Sequence, residues 1–142
     1  MEYTIGIALA VAVITLMVLA GIGRDRSFYA TMMIVVASYY VLFAVVGGSA
    51  HTIVVESLVA VAFASAAVVG FRTSLWIVVA ALIGHGLMDS VHHEFIANPG
   101  VPVWWPGFCM AFDVVAGGLL AVLLLTRGPY SLQSRGADRR AG

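Results

Sequence analysis

The chain has no lysine, and charged residues of either sign fill only 10% of its 142 positions. A soluble domain usually carries about 25% charge. Seven arginines balance seven acidic residues, so the formal net charge is zero. Without a basic surface there is no electrostatic footing for nucleic acid, which is excluded as a partner. One cysteine, Cys109, excludes an intrachain disulfide. There is no CXXCH for covalent haem attachment. There is also no HExxH of the zinc proteases, because His93-Glu94 lacks the second histidine. Ser49 and His51 sit in a glycine-rich turn without a nucleophile elbow. Glu2 occupies the position where myristoylation needs glycine, and no CaaX cysteine ends the chain. The first apolar run has no basic residues before it and is too long for a signal-peptide core, so a cleavable signal is not expected.

What is present is apolar. Hydrophobic residues make up 62% of the chain, and the mean hydropathy is +1.05. About 20 apolar residues cross a bilayer as a helix, and such runs are predicted at 4–22, 28–46, 52–70, 74–95 and 107–126. They predict an all-α membrane protein, a bundle of five transmembrane helices in one domain (1–126), with 127–142 as a disordered cytoplasmic tail. Arg24 and Arg26 fall in the first loop, Arg72 in the third, and Arg127, Arg135, Arg139 and Arg140 in the tail. The second and fourth loops have no basic residue. The positive-inside rule then sets the N-terminus outside and the C-terminus in the cytoplasm. Trp104 and Trp105 suit an outer aromatic belt. Small residues in the third span, and Gly84, Gly86, Gly117 and Gly118, suit close helix packing. No long internal repeat supports an inverted-repeat transporter.

Against this background one stretch stands out. Gly84-His85-Gly86-Leu87-Met88-Asp89-Ser90-Val91-His92-His93-Glu94 holds three of the four histidines and two of the seven acidic residues. At about 1.5 Å per residue, Asp89 and Asp113 lie roughly 9 Å from the outer helix ends and Glu56 roughly 6 Å. Three carboxylates from three helices therefore share one outer layer, with His85 deeper and Tyr39 and Tyr40 at the same level. At about 100° per residue, His85, Asp89 and His92 form one stripe, His93 lies about 40° from Asp89, and Glu94 points away. Inward of His85 the stripe continues as Leu82, Ala81 and Val78. A conducting path needs polar groups along its length. A polar outer half over an apolar inner half predicts a pocket open to the outside.

Three functions fit such a pocket. Imidazole and carboxylate are ligands for Zn, and next for Fe or Mn, so His85, Asp89, His92 and His93 are candidate metal ligands. Glu56 and Asp113 would then complete the ligand shell, orient the ligands, or be the catalytic bases that take a proton from metal-activated water. The substrate would be lipid-like, drawn from membrane lipid, its chain against the apolar inner half. Alternatively the groups bind a small molecule or haem, or relay protons. Alternatively they are hydrogen bonds holding the bundle together. Self-association stays open.

GHGLMDSVHHEF followed by NPGVPVWWPGFCMAFD resembles a family of small bacterial integral-membrane proteins of uncharacterised activity, over residues 84–113. The resemblance implies a multi-pass protein of the inner (plasma) membrane and transfers no chemistry. A looser similarity is to the membrane hydrolases related to alkaline ceramidase, which set histidines and an aspartate on helices around zinc. Those have seven spans where five are predicted here, and the His-x3-Asp-x2-His-His spacing is not their full pattern.

Overall fold

A computed structural model describes residues 1–127, with the side chains of Arg24 and Arg127 outside the description. The predicted tail therefore lies outside the described residues apart from Arg127, which closes the last helix. The described chain is all helical: α1 (Glu2–Leu19), α2 (Arg26–Gly47), α3 (Ala50–Arg72), α4 (Leu75–Phe95) and α5 (Trp105–Arg127), with a short 3-10 turn at Ile22–Arg24. All five long helices have the length and hydropathy to cross a membrane.

Local chemistry sets the helix ends. α1 stops short of the predicted boundary because Gly21 takes a left-handed φ of 78°, open to glycine at little cost. The Asp25, Ser49 and Ser74 side chains accept the Ser27, Thr52 and Trp76 amides and so cap α2, α3 and α4. Its bond from Ser27 holds the exposed Asp25 carboxyl below the usual carboxylate range. The Arg26 guanidinium donates to the carbonyls of Gly70 and Phe71 at 3.2 and 3.1 Å. That satisfies orphan acceptors at the C-terminus of α3. α5 starts earlier than predicted, at Trp105, because Pro106 is tolerated in a first turn where no intrahelical N–H is required. Trp105 accordingly turns inward, edge-on to Tyr39 and Phe43 at centroid distances of 5.0 and 4.9 Å. Trp104 remains exposed.

The helices pack in the spatial order α1, α5, α4, α3, α2, with a smaller α2–α4 contact closing the centre. α4 is the most enclosed helix. Val78, Ala81 and Leu82 are buried on the face that carries His85, so the apolar inner half of the stripe is core. The outward surfaces of α1 and α3 expose Ile7, Val11, Leu16, Val54, Leu58 and Val61, as a lipid-facing surface requires. Gly86 is where α4 and α5 meet. A Cβ there would stand 3.0 Å from the Met110 carbonyl oxygen and 3.3 Å from the Asp113 Cβ. The missing side chain lets Asp113 come level with His85.

Candidate metal centre

The helix period turns His85, Asp89 and His92 to one face of α4, and all three are buried. His93 and Glu94 are exposed. The buried face meets Glu56 of α3 and Asp113 of α5, both also buried. The structure sorts these groups into two neighbouring sets.

In the first set, the His85 Nδ1 atom stands 2.7 Å from Asp113 Oδ2 and 3.5 Å from Asp89 Oδ2. One imidazole nitrogen faces two carboxylates. One ligand-type atom from each of these three residues lies within 4.8 Å of the others, so this buried group could hold a metal ion. With zinc–ligand distances of about 2.0–2.2 Å, ligand atoms of a tetrahedral site stand roughly 3.3–3.6 Å apart. The Asp89 contact already has that length. The Asp113 contact has the length of a hydrogen bond and opens by about 0.6–0.9 Å if an ion replaces the proton.

In the second set, His92 Nε2 lies 2.9 Å from Glu56 Oε1. The Asn98 amide donates to that same oxygen at 2.8 Å and to the Tyr40 carbonyl at 3.1 Å. The Tyr40 ring lies between the sets, stacked on His92 at 4.1 Å and edge-on to His85 at 6.1 Å. Its hydroxyl lies beside Asp89, which offers it an acceptor, without the two closing to a full hydrogen bond. Phe63 closes the other side of His85, edge-on at 4.9 Å.

The electrostatics are unbalanced. Three buried carboxylates (Glu56, Asp89, Asp113) face two buried imidazoles (His85, His92), and among the described residues no arginine pairs with any of them. Even with both imidazoles protonated, three negative charges against two positive leave one in excess. Both Asp89 oxygens, Asp113 Oδ1 and Glu56 Oε2 have no hydrogen-bond partner. A buried, unpaired carboxylate is costly enough to demand a proton or a cation.

Of the candidates named from sequence, His85, Asp89 and Asp113 come together, while Glu56 and His92 pair one step away. His93 stands apart on the surface. Asp113, a candidate both for the ligand shell and for the base, stands among the ligand-type atoms. Sequence reasoning missed Asn98, whose Asn-Pro-Gly context signals a turn. An Asn there normally bonds its own backbone, and its Oδ1 does accept from the Gly100 amide at 3.3 Å. Its amide, however, reaches Glu56, 42 residues away in sequence. Tyr40 stands at the level counted for it from the sequence. The only signal available was its depth.

Comparison with protein-family models, curated proteins and solved structures returns no match.

Proposed function

We propose that this chain is a multi-pass membrane metalloprotein that holds a divalent cation, zinc first and iron or manganese next, on His85, Asp89 and Asp113, and that it hydrolyses lipid-like substrates. The observation that carries this is the set of unpartnered carboxylate oxygens around one imidazole in a buried place. A divalent cation supplies the missing positive charge and the missing contacts together. It also lowers the pKa of a bound water to about 7. The Glu56–His92 pair is the proton acceptor, with Asn98 holding the Glu56 carboxylate in place. With such an ion bound to make the water acidic, Glu56 or His92 would take a proton from that water and return it to the leaving group of an ester, amide or phosphoryl substrate.

The orientation belongs to this proposal. Arg24, Arg26, Arg72 and Arg127 all lie at one end of the helices, and the other end carries no basic residue except histidine. The positive-inside rule sets the arginine end in the cytoplasm and the metal centre in the outer half of an inner (plasma) membrane. Kinship with small bacterial integral-membrane proteins is part of the same proposal.

Elemental analysis of the purified chain tests the metal, with His85→Ala, Asp89→Ala and Asp113→Ala beside it. The expected result is one equivalent of a divalent metal in the native chain and its loss in each variant. A metal-free native chain that takes up none on incubation sinks the proposal.

A second function is favoured by the Glu56–His92–Tyr40 stack, which joins a carboxylate, an imidazole and a phenol in van der Waals or hydrogen-bond contact. This is a proton-handling membrane protein. Proton flux in reconstituted vesicles, abolished by Glu56→Gln, is its test.

A further inference from the structure

Two cavities flank α5. One is a groove of about 800 Å³ between α1 and α2, lined by Leu9, Val13, Met32, Val35 and Phe112, with Cys109 in its floor. The other is a chamber of about 730 Å³ beneath the connection from α4 to α5. Asp89 and His92 line this chamber, together with His93, Pro102, Pro106 and Met110. Its size falls within the roughly 300–1,000 Å³ of ordinary ligand pockets. The connection above it is pinned rather than loose. Thr52 Oγ1 donates to the Ala97 carbonyl at 3.2 Å, Asn98 ties to Tyr40 and Glu56, and Gly100 rests on the Phe43 carbonyl.

We infer that this chamber is the ligand entrance of the centre and takes the oxygen-bearing polar head group of a lipid from the loop side. The inference rests on the metal proposal above. A catalytic zinc with three protein ligands keeps a fourth position for water or substrate. Of His85, Asp89 and Asp113, Asp89 alone lines the chamber, and none of the three lines the groove. Of the two cavities, only the chamber therefore reaches a residue of the centre. His92 and Asn98 are the other wall residues tied to the buried network, so the proton acceptor stands on the same side as the ligand. His93, exposed and outside the metal group, joins them in this wall. Oxygen donors suit a cation held by carboxylates, and the chamber lies where α4 and α5 end at their connection, the side from which a head group would enter.

The test uses the full chain in lipid nanodiscs and has two arms. In the first, the metal-loaded chain is exposed to EDTA, a water-soluble oxygen-donor chelator. Ser90→Trp and Val101→Trp fill the chamber, and Val35→Trp fills the groove. The chamber variants slow metal removal about tenfold, equivalent to about 1.4 kcal/mol of barrier, and Val35→Trp leaves it unchanged. Slowing by Val35→Trp alone overturns the inference.

The second arm starts without metal. A Met110→Cys, Cys109→Ala chain is treated with a charged thiol reagent. Labelling proceeds and Ser90→Trp suppresses it. A thiol that resists labelling overturns the chamber as an entrance. In the metal-loaded chain, phosphatidic acid in the nanodisc slows labelling, and protection by inorganic phosphate instead overturns the lipid source. Normal labelling in a chain that binds no metal leaves the entrance standing and removes the metal proposal, so the two failures are told apart.

Discussion

At the scale of single residues the site is a problem of unmet hydrogen bonds and charge. Asp89 has two buried oxygens without hydrogen-bond partners, and Asp113 and Glu56 one each. Asp113 and His93 make a discriminating pair, because both are sequence candidates but only Asp113 touches His85. Asp113→Asn keeps the side-chain shape and removes the charge. Metal affinity measured by competition with a calibrated chelator should fall at least about 10–100-fold, the loss typical even of outer-shell partners. His93→Ala should leave it unchanged. Asn98 gives a second prediction. Asn98→Ala removes one donor each from Glu56 Oε1, which keeps His92, and from the Tyr40 carbonyl. Thermal unfolding in detergent should report destabilisation of about 1–3 kcal/mol. Of these residues, the α4 stripe was legible from its period because a helix fixes angles between neighbours in sequence. Asn98 was not, since its partner lies on another helix.

At the scale of elements, α4 and α5 decide whether the centre forms. Their approach at Gly86 brings the Asp113 side chain to His85, and even a Cβ there stands tight against the Met110 carbonyl and the Val114 and Asp113 side chains. Gly84, two residues earlier, has no atom within 4 Å of where its Cβ would be. Gly86→Val should therefore push the helices apart, cost about 1–3 kcal/mol through overpacking, and abolish metal binding. Gly84→Ala should be neutral or stabilising by roughly 0.5–1 kcal/mol with metal binding intact. Metal content and thermal unfolding of the two variants check this. The sequence showed both glycines flanking His85 and gave no means to tell them apart. Helix ends were legible to within a few residues, through Gly21 and the capping Asp25, Ser49 and Ser74. The inward turn of Trp105 was not, because it depends on Tyr39 and Phe43 standing opposite.

At the scale of the whole molecule, orientation is the next measurement. Val103 is 99% exposed in the connection between α4 and α5, and Thr73 is exposed at the other end of the bundle. In a Cys109→Ala chain in intact cells, Val103→Cys should react with a membrane-impermeant thiol reagent. Thr73→Cys should react only after permeabilisation. The reverse pattern would overturn an outward-facing centre. Apolar length and the α4 period were enough, by themselves, to give five helices, the buried face of α4 and the layer in which its polar groups lie. These are properties of one segment, fixed by about 1.5 Å and about 100° per residue. Which carboxylate meets which histidine was decided only by the tertiary structure. Glu56 and Asp113 lie at similar counted depths, and packing gave Asp113 to His85 and Glu56 to His92. That choice depends on which helices are neighbours and how closely they approach, and the chain order α1 to α5 does not contain the spatial order α1, α5, α4, α3, α2.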